Sequence, residues 1–138
     1  MPAGVFPNQV VFGDGFGPPA LGGAVNVLFA SFNSATTGIA SGVTLFTIPQ
    51  NAEIVGYLMN TNVAWNGTGT NTIDFGTTGA LTQFAAAQNA GATGQKDDGF
   101  VPTQLFVKQT GPVPFTARYN GTTATLGTTF IAVFYITR

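Results

Sequence analysis

From residue 25 onward, the pattern of hydrophobic and polar positions predicts a chain of short strands. Runs rich in Val, Ile, Phe, Tyr and Thr are separated by Gly, Asn and Pro, and several alternate between apolar and polar residues. Alternation is typical of a strand with one buried face, because successive side chains point to opposite sides of a sheet. About eight such strands without βαβ alternation predict an all-β, two-sheet sandwich of the jelly-roll type over residues 25–138.

The last predicted strand, residues 124–136, differs from the others because both faces of its second half are apolar. A strand of this kind is either central in its sheet or covered on its outer side by another chain. Our hypothesis places Ile131, Val133 and Tyr135 on the outer face, where they would form an oligomer interface.

One short helix is the most that the pattern allows, at residues 80–90, ALTQFAAAQNA. Leu81, Phe84, Ala85 and Gln88 follow the i, i+3, i+4, i+7 spacing of an amphipathic helix. The glycines immediately before and after this segment limit it to a few turns.

Two Asn-Gly dipeptides predict turns. Asn120-Gly121, between two strand patterns, predicts a tight hairpin, because a type I′ turn favours Asn and Gly at its two central positions. Asn66-Gly67 predicts a corner after the strand that ends near Trp65.

Residues 1–24 differ in composition from the rest and are predicted to form an extended N-terminal arm. Four prolines and frequent glycines exclude a helix or a central strand, while the spaced large apolar residues are unusual for a solvated tail. Fully extended, such a segment reaches about 80 Å. We therefore expect the arm to lie on another surface, either that of a neighbouring subunit or that of its own domain. Its candidate contact residues are Val5, Phe6, Phe12 and Phe16.

Charge and composition favour a subunit whose surface is covered in an assembly over an association-prone monomer. Charged residues make up 7% of the chain and the net charge is −1, whereas 44% of the residues are hydrophobic. A surface with so few charges tends to associate. The same balance provides no basic surface for nucleic acid and no polybasic patch for a membrane, so neither partner is expected.

Catalytic chemistry is not expected. The chain has no histidine and no cysteine, which removes the usual proton shuttle, the thiol nucleophile and the commonest metal ligands. Asp97 and Asp98 are the only adjacent carboxylates, but the dense acidic spacing of a calcium loop is missing. The prediction is a non-enzymatic protein without metal or cofactor.

The sequence shows neither a signal-peptide pattern nor an apolar run long enough for a spanning helix. We therefore expect synthesis in the cytoplasm, with any later exit inside a particle.

Two segments resemble a known family. IPQNAEIVGYLMNTNVAWNGTGTNTIDFGTTGALTQFAAA (48–87) and FTARYNGTTATLGTTFIAVFYI (115–136) resemble the small head decoration, or cement, proteins of tailed bacteriophages. The shared features are a Pro-x-Asn-Ala strand opening, an Asn-Gly-Thr corner, a Gly-Thr-Thr-Gly turn and a Thr-rich closing strand pair. The resemblance covers roughly residues 43–137.

The resemblance implies a jelly-roll-like domain that binds the outer surface of the assembled phage head, usually as a homotrimer, at junctions between capsomers. The implied partners are the major capsid protein and further copies of the chain, and the implied location is the virion. This family has no catalytic residues to transfer to the sequence.

A phage fibre or host-attachment module is the competing hypothesis. It would use Trp65, Asn66 and Thr68, together with loop 91–103, to bind a surface glycan, because an exposed aromatic ring can stack on a sugar. Trp65, however, continues the apolar side of its predicted strand, which favours packing in a core or an interface over ligand stacking.

Overall fold

The computed structural model describes residues 24–96 and 100–137. These residues confirm the predicted all-β, two-sheet fold. The proposed arm contacts Val5, Phe6, Phe12 and Phe16, and the acidic pair Asp97-Asp98, lie outside the described residues. The elements are β1 (Asn26–Asn33), β2 (Val43–Ile48), β3 (Ala52–Val63), β4 (Thr72–Thr77), β5 (Ala80–Asn89), β6 (Gly94–Lys96), a 3-10 turn (Pro102–Gln104), β7 (Val113–Tyr119) and β8 (Thr128–Thr137).

The eight strands form two antiparallel sheets with a jelly-roll topology. The first sheet has the order β1-β8-β3-β6 and the second has the order β2-β7-β4-β5. Consecutive strands therefore alternate between the sheets, except for β4 and β5, which are paired neighbours in the second sheet. This alternation is the double Greek key of a jelly roll.

The connections divide between two ends of the sandwich. One end, which we call the Trp65 end, contains loops 34–42, 64–71, 90–93 and 120–127. The opposite end, the Phe106 end, contains turn 49–51, turn 78–79 and loop 100–112, together with the start of β1 and the end of β8.

The hydrophobic core lies between the two sheets and is rich in aromatic rings. The ring of Phe115 on β7 stacks on Phe84 at 5.2 Å and on Phe75 at 5.6 Å between centroids. These three side chains have no solvent exposure, and each buried side chain of this size contributes about 2–3 kcal/mol of transfer free energy. From the first sheet, Ile54, Met59 and other apolar residues close the core.

The structure corrects the predicted faces of β8. Ile131 and Val133 are completely buried in the core, and Tyr135 packs against it, so all three belong to the inner face of a single chain. Their outward-facing neighbours are Phe130 and Phe134. The error arose because β8 is central, between β1 and β3, and is apolar on both faces. A period of two residues separates the faces of such a strand without identifying the inner one.

The predicted helix at 80–90 is also wrong, because this segment is β5. The pairing of β5 with β4 is irregular: Ile73 lies opposite Gln88, but Phe75 lies opposite Ala85, so β5 carries an extra residue. Ala87 in this bulge has a positive φ of 54°. A bulge shifts the alternation of buried residues, and here it produces a spacing that imitates a helix.

The tight hairpin predicted at Asn120-Gly121 does not form. β7 and β8 lie in different sheets, so loop 120–127 crosses the Trp65 end instead of joining paired neighbours. Neither Asn120 nor Gly121 has the positive φ that a type I′ turn requires.

Candidate interaction surface

Over β4, the outer face of the second sheet is covered by the chain itself. Near its start, the backbone of β5 passes over Gly76 of β4, where an added Cβ would lie 2.1 Å from the carbonyl oxygen of Ala80. The next outward residue on β4, Asp74, is buried beneath the β5 bulge. The β4 part of this face therefore presents no large apolar side chain.

The carboxylate of Asp74 on β4 links the β5 bulge to Arg118 on β7 by hydrogen bonds and by charge. Its Oδ1 accepts a hydrogen bond from the Ala87 N–H at 2.7 Å, and its Oδ2 accepts from Arg118 Nε at 3.1 Å and Nη2 at 2.5 Å. Burial alone would raise the pKa of Asp74, but these hydrogen bonds and the guanidinium charge outweigh burial and hold the pKa below its usual range. The carboxylate is a structural anchor of the bulge.

The outer face of the first sheet is apolar and partly exposed. We call it the outer aromatic face. Phe29 is 46% exposed, and its ring lies 5.8 Å from that of Phe130 at an angle of 34°. The sheet register places polar but uncharged Asn60 and Gln95 beside it. The outer aromatic face consists of the exposed Phe29, the half-buried Leu58, Phe130 and Phe134, and the buried Val27 and Ala132.

An apolar face of this kind is typical of a protein–protein contact, because aromatic residues are enriched and charges are depleted at the centre of interfaces. Sequence analysis missed these residues by choosing the alternate positions of β8. The apolar residues on both faces of β8, together with the alternating Val27 and Phe29 on β1, were the signal that could have predicted this outer face.

Trp65, predicted as a glycan platform in the alternative hypothesis, is buried. Its side chain is 2% exposed, its ring stacks on Tyr119 at 4.5 Å, and its Nε1 donates to Thr129 Oγ1 at 2.9 Å. Gly127 covers the ring closely, since an added Cβ would lie 2.4 Å from the indole Cδ2. The indole has no free face for a sugar, which corrects the glycan-facing assignment of Trp65 and leaves it a core residue.

The other two residues of the glycan hypothesis take part in loop packing. Asn66 Oδ1 accepts from the N–H groups of Thr125 and Leu126, each at 2.9 Å, and its Nδ2 donates to Thr125 Oγ1 at 3.0 Å. Thr68 is exposed and exchanges backbone hydrogen bonds with Thr122 at 2.9 and 3.2 Å. The structure thus brings the three residues together at the Trp65 end, as links between loops.

At the opposite end, loop 105–109 presents two apolar side chains to solvent. Phe106 is 62% exposed and Val107 is 45% exposed. The apolar run Leu105-Phe106-Val107 is typical of a strand, whereas Phe106 adopts a positive φ of 61° and lies in a turn. No residue pattern signals a left-handed phenylalanine, so sequence analysis had no means of finding this site.

In the described ranges, 24–96 and 100–137, no group of three His, Cys, Asp or Glu residues is arranged to hold a metal ion. Among the same residues, no helix is long and apolar enough to cross a membrane. The described surface does offer the outer aromatic face and the Phe106 turn, and at the Trp65 end it exposes Val63 and Leu126.

Comparison with solved structures finds the same fold in phage capsids. A chain from the "Cyanophage Pam1 capsid asymmetric unit" matches with a TM-score of 0.64 and 23% identity over 100% of both chains. A chain from the "Capsid of Ralstonia phage GP4" matches with a TM-score of 0.64 and 17% identity, over 88% of this chain and 90% of the other.

A third match comes from the "Acidic stable capsid structure of Helicobacter pylori bacteriophage KHP30", with a TM-score of 0.55 and 13% identity over 81% of this chain and 86% of the other. No protein-family model matches the sequence, and no curated protein matches it significantly. At these identities, the similarity establishes a shared fold.

Proposed function

We propose that this chain is a capsid decoration, or cement, protein, which binds the assembled head of a tailed phage as a homotrimer and stabilises the contacts between capsomers. The observation that carries the proposal is the fold similarity over the full length of both chains to a component of the cyanophage Pam1 capsid. The complete overlap means that the similar chain is also a small, single-domain subunit. Two further properties of this chain support a structural role on the outside of a shell.

The first property is its surface chemistry. With 7% charged residues and a partly exposed aromatic sheet face around Phe29, the domain has apolar surface of the kind that a permanent subunit contact buries. We assign the outer aromatic face to contacts between copies of the chain, in place of Ile131 and Val133, which are buried within one chain.

The second property is the N-terminal segment. Val5, Phe6, Phe12 and Phe16 are proposed to anchor it on the major capsid protein or on a neighbouring copy. Three linked copies strengthen each weak anchor, because after the first contact the others bind at a high effective concentration. A protein that binds only the assembled lattice stabilises that lattice by mass action.

The proposal is tested by two measurements on the purified full-length chain. Mass photometry should give three times the mass of one chain. Co-sedimentation with empty heads of the phage that encodes the chain should saturate at a fixed ratio to capsomers. A monomer that remains in the supernatant at all head concentrations would refute the proposal. Deletion of residues 1–20 should leave a folded domain that no longer sediments with heads.

The assignment of the outer aromatic face is tested separately. Phe29→Ser should lower the measured mass to that of a monomer, while circular dichroism remains that of a folded domain. Leu126→Ser, which changes a similarly exposed apolar residue away from this face, is the matched control and should leave the mass unchanged.

A further inference from the structure

Phe106 combines two features that are each unfavourable for an isolated domain. Its side chain is 62% exposed, the highest value among the large hydrophobic residues of the described chain that remain exposed. Its backbone lies in the left-handed region, with φ of 61°, which a bulky residue rarely adopts. Local strain of this kind persists only where the surrounding structure enforces it, and it is concentrated at functional positions.

The surrounding structure does enforce it. The Phe106 N–H donates to the Ile54 carbonyl at 2.9 Å, and the Gln109 N–H donates to the Ala52 carbonyl at 2.9 Å. Asn51 then donates its N–H to the Gln109 carbonyl at 2.8 Å, and the buried Gln109 side chain donates to the Val107 carbonyl at 3.1 Å. The turn is thus fastened to the first residues of β3, and it presents Phe106 and Val107 in a fixed direction.

A rigid, exposed aromatic residue is well suited to act as an interface anchor. Residues that dominate binding energies are commonly aromatic and enter desolvated pockets, and a pre-organised loop loses little conformational entropy on binding. The neighbouring exposed residue, Lys108, adds a cation at the edge of the apolar pair. The complementary surface is therefore an apolar pocket with carbonyl or carboxylate oxygens at its rim.

The position of this turn also indicates which end of the domain faces a binding partner. β1 begins at the Phe106 end, so residues 1–23 join the domain at the same end as the exposed turn. The Trp65 end has its loops joined to one another by hydrogen bonds. The Phe106 end therefore carries both the exposed turn and the point at which residues 1–23 are attached.

We infer that the Phe106 end faces the capsid shell, with Phe106 and Val107 inserted into an apolar pocket of the assembled capsid protein and the Trp65 end directed outward. This inference rests on the proposed decoration function and adds the orientation of the domain and its anchor.

The decisive variant is Phe106→Gly. Glycine adopts a positive φ without strain, so this change removes the anchor and relieves the backbone at the same time. We expect the melting temperature to rise by about 3 °C, whereas the affinity for empty heads falls by at least about tenfold. A residue with a purely structural role could not give this opposite pair of results.

Leu126→Ser provides the matched control, since Leu126 is 57% exposed at the Trp65 end. It should sediment with heads as the wild type does. Unchanged head binding by Phe106→Gly, or loss of binding by Leu126→Ser instead, would overturn the inference while leaving the decoration function standing. Failure of the wild type itself to bind heads would overturn the decoration function and the inference with it.

Discussion

The two ends of the sandwich differ in how they treat their aromatic residues. At the Trp65 end, the indole is buried, its N–H is paired with Thr129, and the surrounding loops exchange backbone hydrogen bonds. At the Phe106 end, a phenylalanine is held out of the structure in a strained conformation. The Trp65 end therefore stabilises the fold, whereas the strained Phe106 turn lowers the stability of the domain.

Close packing at the Trp65 end extends to its smallest residues. A Cβ added at Gly67 would lie 2.1 Å from the hydroxyl of Tyr119, and one at Gly121 would lie 1.8 Å from the same atom. That hydroxyl donates to Asn71, whose Nδ2 donates to the Gly67 carbonyl at 3.0 Å. Glycine in the two Asn-Gly-Thr loops thus leaves the space that the Tyr119 side chain occupies.

The largest predicted effect comes from removing the centre of the Trp65 end. Trp65→Ala should lower the free energy of unfolding by about 4 kcal/mol, because it leaves a cavity and deprives Thr129 of its donor. Urea denaturation monitored by circular dichroism measures the change. Trp65→Phe, which keeps an aromatic ring but loses the hydrogen bond, should cost about half as much. Equal costs for the two variants would show that ring packing is not the main contribution.

A pair of glycine substitutions compares the two ends directly. Gly127→Ala should cost about 3 kcal/mol, because the new methyl group collides with the indole and Gly127 has a φ of 147°. Gly111→Ala, near the Phe106 end, meets no atom within 4 Å and should change stability by less than about 0.5 kcal/mol. Thermal denaturation of both variants gives the comparison, and similar costs would contradict the difference between the ends.

The pH dependence of the free energy of unfolding measures how much the ionised Asp74 contributes to stability. Its pKa is lowered in the folded protein, so the stability it adds is complete above the ordinary aspartate pKa and is lost as the pH falls through the folded value. Asp74→Asn should cost about 2 kcal/mol at pH 7, since charged hydrogen bonds are lost.

The measurement is the difference in unfolding free energy between wild type and Asp74→Asn as the pH is lowered from 7 to below about 4, where an unperturbed aspartate becomes protonated. The difference should shrink with acidification, because the other carboxylates titrate in both proteins. A difference that stays constant across this range would show that the carboxylate charge is not what stabilises the bulge.

The smallest expected effect lies at the Phe106 end. Val107→Ser should change the free energy of unfolding by less than about 0.5 kcal/mol, because the side chain already faces water and its carbonyl bond to Gln109 is kept. Chemical denaturation is sufficient to measure it. A cost above about 1 kcal/mol would mean that this residue belongs to the core of the domain.

Strand β7 shows what the sequence can predict. Its alternation places Val113, Phe115, Ala117 and Tyr119 on one side, and the structure packs this side against the core. Such a strand is readable because one face is apolar and the other is polar, so the buried side is unambiguous.

The failures have equally specific causes. β8 is apolar on both sides, so its alternation does not distinguish Ile131 and Val133 from Phe130 and Phe134. The bulge at Ala87 hides a strand behind a helical spacing. The signal at Asn120-Gly121 is local, while the assignment of β7 and β8 to different sheets depends on contacts far apart in sequence.

The candidate surface was harder to predict than the fold for a physical reason. Burial follows from apolar composition, but exposure of an apolar residue depends on backbone details that composition does not encode. Phe106 is exposed because hydrogen bonds to β3 impose its left-handed turn, and those partners lie about 50 residues earlier in the chain.

The central place of β8 in the first sheet bears on how the protein is made. β1 and β3 leave the ribosome early, yet β1 has no partner and β3 has only the three-residue strand β6 until residues 128–137 have also been synthesised. During translation, β1 and one edge of β3 are therefore unpaired and can pair with strands of other nascent chains. The chain is thus most vulnerable to misassembly just before β8 emerges.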